Sequence, residues 1–168
     1  MGGWAVRTLQ VILAIALAGS LFVQCVLVPL IWIDMEDARA VIRIPFVVIL
    51  VLGIGTLQVT AVCIWKLLTM VRRGTVFSHA AFRYVDIIIG AIATASVLTF
   101  AVAVLGAYSN RTSPGDQVAP GLVGLVCGVS LVLAGVAVLV LVMRTLLAQA
   151  VARDAEARHL RSELDEVI

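Results

Sequence analysis

Charge is what this sequence has least of. Only 13% of its 168 residues are Asp, Glu, Lys or Arg, against 62% that are hydrophobic. A soluble domain of this length has too small an interior to hide that much apolar material, so a water-soluble fold is excluded. The net charge is +2 and the charges fall in short, separated stretches. No basic face of nucleic-acid size can form from them, and direct nucleic-acid binding is not expected.

The residues that carry chemistry are equally sparse. Cys25, Cys63 and Cys127 stand singly, far apart in the chain. A membrane thiol oxidoreductase needs a close pair such as Cys-x-x-Cys, so these three read as small buried hydrophobes. His79 and His159 are the two histidines, widely separated, and no metal site is expected from them. No Ser-His-Asp pattern or phosphate loop is present. The chain therefore reads as non-enzymatic, with no catalytic residue and no cofactor. No acid precedes Asp34, and the middles of the apolar runs hold no ionisable residue. Proton-coupled transport normally needs such a residue within the membrane.

What is present is four long apolar stretches, 8–33, 44–71, 84–108 and 118–143. Each exceeds the roughly 20 residues that a helix needs to cross the hydrocarbon core. The predicted fold is all-α: a polytopic membrane domain over 1–143, built as an antiparallel bundle of four transmembrane helices, followed by a cytoplasmic amphipathic helix over 144–168. Trp4 and Trp32 bracket the first stretch, Trp65 lies near the end of the second, and Tyr84 and Tyr108 bracket the third. Amphipathic rings at both ends of a span are the mark of interfacial belts. Ala16-Leu17-Ala18 has the small residues of a signal-peptide cleavage site, but the apolar run continues to Ile33 and reads as a span.

Lys and Arg set the orientation. Arg7, Lys66, Arg72, Arg73, Arg83, Arg144, Arg153, Arg158 and Arg161, nine of the twelve, fall on one side, and Arg39, Arg43 and Arg111 on the other. Both termini are expected in the cytoplasm. Lys66 lies near the end of its stretch, where its stem can snorkel to the headgroups. On the outer side, Arg39 and Arg43 are placed to reach lipid phosphates. Asn110-Arg111-Thr112 has the glycosylation pattern, which has meaning only in a secretory pathway.

Two segments carry most of the polar information. In "MVRRGTVFSHAAFRYVD" (70–86), Arg72, Arg73 and Gly74 have the composition of a helix C-terminus, with cations at the negative end of the dipole. Ser78 is placed as the next N-cap, Phe77 and Phe82 have staple spacing, and Arg83 stands three residues from Asp86. After Met143 the apolar residues Leu146, Leu147, Ala150, Ala157, Leu160 and Leu164 recur at spacings of three and four, giving one stripe. That stripe suits the inner leaflet, a continuation of the fourth span, or a partner. Arg72, Arg73, Gly74, Phe77, Ser78, Leu160 and Leu164 are the candidate partner surface.

Within the spans, Gln24 and Gln58 are the most polar side chains, with Thr and Ser around them. They can line a cavity for a small molecule or lipid, or hydrogen-bond between helices as glue. Gly121, Gly124, Gly128 and Gly135 form a small-residue stripe in the fourth stretch, suited to close helix packing within one chain or between copies. A homo-oligomer, or a structural subunit of a larger membrane complex, follows from the second case.

With four spans, "RRGTVFS" (72–78) between the second and third, and a terminal "LDEVI" (164–168), the chain resembles the bacterial membrane family catalogued as domain of unknown function 2975. The shared residues are Gly74, Phe77, Ser78 and the tail. The resemblance implies a bacterial inner-membrane location and a small helix-turn-helix regulator as cytosolic partner. It implies no activity and no catalytic residue.

Overall fold

The computed structural model describes the backbone of residues 3–36, 40–72, 79–112 and 118–167; side chains at 3, 5, 72, 79, 80, 155 and from 158 onward lie outside the description. The described residues are helical almost throughout. The helices are α1 (Gly3–Phe22), a π-helical turn (Val23–Leu27), α2 (Val28–Asp34), α3 (Ala40–Arg72), α4 (His79–Thr112) and α5 (Pro120–Val167). Four segments are long and apolar enough to cross a membrane: Val6–Asp34, Ala40–Val71, Ala81–Thr112 and Pro120–Asp154, with mean hydropathy of 2.4 to 2.9. An even number of spans puts both termini on one face of the bilayer, here termed the terminal face.

Only 6 to 11% of the residues in each span's most apolar window are buried inside the chain. A soluble fold would leave this surface in water at a cost of about 25 cal/mol per Å². In a bilayer the lipid tails cover it instead. The chain is a multi-pass membrane protein.

The helices pack in chain order: α4 contacts α5 and α3 most extensively, and α1 contacts α3 along a shorter length. Where they meet, the side chains are small. Among the described residues, the buried ones are Val28, Cys63, Ala81, Ala91, Ser96, Ala103, Ser130 and Ala137. Without a hydrophobic drive between helices in lipid, close van der Waals contact and hydrogen bonds must hold them, and small residues permit both.

Two prolines shape the first half. Pro29 has no N–H to donate to the carbonyl of Cys25, and the turn before it widens, with the Val28 N–H bonding to the Val23 carbonyl, five residues back. Pro45 lies inside α3, close to its start. Between them, the Arg43 guanidinium stacks over the Trp32 ring at 4.2 Å, and its Nη1 donates a long 3.5 Å hydrogen bond to the Met35 carbonyl. Arg43 thus closes the turn from α2 to α3 through an aromatic face, a cation–π contact. Arg39 lies outside the described residues.

One sequence expectation changes, and two open alternatives narrow. Of the cysteines, only Cys63 is buried, while Cys25 is exposed on the lipid side and Cys127 is intermediate. The glycine stripe does not serve packing within the chain: nothing of the described chain lies within 4 Å of a Cβ built at Gly121, Gly124, Gly128 or Gly135. Gly128 and Gly135 each stand two residues from the buried Ser130 and Ala137, which is about 200° around the helix. The stripe therefore occupies the opposite side of α5. Finally, α5 runs unbroken for 48 residues, so the tail continues the fourth span, one of the readings its sequence offered.

Candidate functional site: polar contacts between the spans

Gln24 and Gln58 meet. Gln24 sits in the π-helical turn, and the Gln58 amide Nε2 donates to Gln24 Oε1 at 2.9 Å. The same Gln58 nitrogen donates to Ser20 Oγ at 3.2 Å. The Gln24 Nε2 donates in turn to the backbone carbonyl of Val51 at 3.2 Å. Antiparallel helices meet at a nearly constant sum of residue numbers, and 20 with 58 and 24 with 58 place α1 and α3 in one register. Ser20 and Gln24, four residues apart, share the face of the first span that meets α3.

Both amides are thus engaged with protein groups, as glue between the first two spans. Removing one partner leaves the others unpaired in hydrocarbon, whereas removing both leaves only apolar atoms. Gln58→Leu is therefore expected to cost about 1–2 kcal/mol, and the double variant Gln24→Leu/Gln58→Leu to cost less than the sum of the single changes. Unfolding midpoints in mixed detergent measure this, and strict additivity would show that the two amides do not act as a unit.

The α4/α5 hairpin is held by polar contacts at three levels. At the loop end, the Asn110 side chain acts as a peptide mimic: its Nδ2 donates to the Val118 carbonyl and its Oδ1 accepts from the Val118 N–H, both at 2.7 Å. This fastens the residue two positions before α5 begins. At mid-span, Ser96 Oγ donates to the Ser130 carbonyl at 2.8 Å and Ser130 Oγ donates to the Ser96 carbonyl at 2.9 Å, with both serines buried. Toward the terminal face, Arg144 Nη2 and Asp86 Oδ2 form an ion pair at 2.7 Å. The guanidinium carbon of Arg144 lies 5.9 Å from the centroid of the Phe82 ring, one helical turn before Asp86.

The sequence-predicted partner surface is only framed by the structure. The described part of α3 runs to Arg72 and that of α4 starts at His79, so the capping expectations for Arg73, Gly74 and Ser78 lie outside the described residues. Arg73, Gly74, Phe77 and Ser78 lie outside the described residues, as does the side chain of Arg72. Leu160 and Leu164 are within helical α5, with side chains outside the description. Among the described residues, no group of three or more His, Cys, Asp or Glu side chains converges in a metal-binding arrangement.

The contacts that sequence reasoning missed are the ones that depend on which helix faces which. Asp86 has Arg83 three residues away, yet it pairs with Arg144 on the neighbouring helix. Side chains on a helix lean toward its N-terminus, so Arg83 leans out of the membrane while Asp86 leans back across Phe82 toward α5. The signal for the serine pair was the seven-residue step from Ser130 to Ala137, which lies on a different face from the glycines.

No curated protein and no solved structure matches the chain. Residues 30–168 match the family described as "Protein of unknown function (DUF2975)". That match takes in all of α3, α4 and α5 together with the end of α2, including every contact of the α4/α5 hairpin. This chain, a four-span helical membrane protein, belongs to the DUF2975 family of unknown function.

Proposed function

We propose that this is a non-enzymatic bacterial inner-membrane protein, with both termini in the cytoplasm, that presents the hairpin between α3 and α4 and the end of α5 to a cytosolic partner. The observation that carries this is the length of α5. Its 48 residues amount to about 72 Å at 1.5 Å per residue, more than twice the roughly 30 Å of hydrocarbon. The Asp86–Arg144 pair marks where it leaves the bundle. From Thr145 onward, roughly 35 Å of helix belongs to the terminal face, beside the hairpin that follows Arg72. The excess of Lys and Arg on this face assigns it to the cytoplasm.

The partner implied by the family resemblance is a helix-turn-helix regulator. An apolar stripe through Leu160 and Leu164 suits docking along a helical groove. The polar cavity of a transporter has less to support it, because Gln24 and Gln58 are bonded to each other and to α1 and α3.

Cross-linking of the full chain in cell membranes, followed by identification of the cross-linked proteins, tests the proposal. The expected result is a helix-turn-helix protein joined to the tail. Its recovery should fall by at least about tenfold in the Leu160→Asp/Leu164→Asp chain, as for loss of two central apolar anchors. Equal recovery of the same proteins from both chains, at equal membrane levels, would refute it.

A further inference from the structure

Between α1 and α3, on the terminal-face side of the Gln24–Gln58 contact, lies an open cleft of about 380 Å³ lined by Ala14, Leu17, Val62, Trp65 and Lys66. Its wall is almost wholly apolar, so Trp65 and Lys66 line it with their carbon frames. Ala14 and Leu17 belong to the first span and the other three to the second, so the cleft opens toward lipid. Lys66 is the chain's single lysine and is exposed. Among the described residues no carboxylate lies within ion-pair distance of it. α3 ends at Arg72, six residues and about 9 Å further on. From Lys66 the stem can snorkel to the headgroups.

We propose that this cleft binds an anionic phospholipid. One acyl chain lies in the trough against Ala14, Leu17 and Val62. The phosphate pairs with the Lys66 ammonium, and Trp65 sits beside the glycerol region, where amphipathic rings are favoured.

Two features select this occupant. A soluble phosphate would gain nothing from the apolar trough. A helix of a second copy would have to bring a carboxylate to Lys66. Of the described acids on this side, Asp86 is paired with Arg144, and Asp154 and Glu156 lie about 15 to 18 Å further along α5. A lipid supplies both the chain and the charge.

The test uses the full-length chain with Trp4→Phe and Trp32→Phe, which leaves Trp65 as the single tryptophan, reconstituted in bilayers. Its fluorescence is quenched by brominated phosphatidylglycerol or by brominated phosphatidylcholine, each titrated against unbrominated lipid. The expected result is a preference of about fivefold for phosphatidylglycerol, the contribution of one lysine near the membrane surface. Lys66→Gln should bring the ratio close to one, and Lys66→Arg should retain it. Equal quenching by the two lipids in the Lys66 chain overturns the proposal. So does a preference that survives Lys66→Gln, which would come from the general positive charge of the face. Absence of quenching by either lipid also overturns it, because Trp65 would then be covered by protein.

Discussion

Replacing Ser130 by leucine is expected to destabilise the bundle by about 1–3 kcal/mol, the range for forcing extra methylenes into a packed contact. Ser130→Ala is expected to cost only about 0.6 kcal/mol, the average for an interhelical hydrogen bond in a membrane protein. The difference follows from geometry. Each serine hydroxyl donates to the other residue's backbone carbonyl, at 2.8 and 2.9 Å, so the backbones of α4 and α5 are about one side chain apart at this level. A hydroxyl can be removed there at small cost because the carbonyls retain their own helical hydrogen bonds. A leucine has nowhere to go.

It would push α5 away from α4, and the strain would reach the contacts at either end of the hairpin, Asn110 with Val118 and Asp86 with Arg144. The same substitution at Ser96 should behave alike, since the pair is reciprocal. Gly128→Leu serves as the control: it adds more bulk to the same helix, two residues away, where nothing of the described chain lies within 4 Å of an added Cβ. Unfolding midpoints in mixed detergent give the comparison. If Ser130→Leu proves as mild as Ser130→Ala, the close approach of α4 and α5 is not what holds the hairpin.

The contrast between Ser130 and Gly128 also shows how far the sequence could be read. The four spans were legible because hydrocarbon imposes a length, and runs such as 44–71 and 118–143 satisfy it without any knowledge of packing. The capping signals at Arg73, Gly74 and Ser78 fall outside the described residues. The pairing of faces was not. Gly121, Gly124 and Gly128 have the spacing for close packing, but small residues do not say which neighbour they face, and the structure uses Ser96, Ala103, Ser130 and Ala137 instead. Gln24 and Gln58 were visible as the polar residues of the first two spans. Their meeting depends on how the first span and α3 face each other, which the spacing within either span does not state.

Asp86 illustrates the same limit with charge. A local rule pairs it with Arg83, while the fold pairs it with Arg144, 58 positions away. For the tail, continuation of the fourth span stayed one of several readings, because nothing between Met143 and Leu147 breaks a helix or requires one to continue, and α5 does continue.

Reversing Asp86 to Arg is expected to cost about 1–2 kcal/mol, and combining it with Arg144→Asp to recover most of that loss. An isolated pair this exposed to water would contribute at most about 1 kcal/mol. The side chains of Arg144 and Asp86 are 30% and 47% accessible, so screening reduces their attraction. The reversed residue adds a second effect, because two guanidinium groups would then compete for one position beside Phe82, at the edge of a medium that solvates charge poorly. Arg144 has little freedom to retreat: its Nε is already buried without a hydrogen-bond partner, so the group is held by its Nη2 bond and the aromatic ring. Swapping the charges restores attraction while leaving the net charge of the terminal face unchanged, so topology is not disturbed. A double-mutant cycle on unfolding midpoints should give a coupling energy of about 1 kcal/mol, shrinking as salt is raised. The swapped chain should also keep its tail cross-links, whereas Asp86→Arg should weaken them, because the pair sets the direction in which α5 leaves the bundle. Additive effects of the two substitutions would mean that the 2.7 Å contact holds nothing in place.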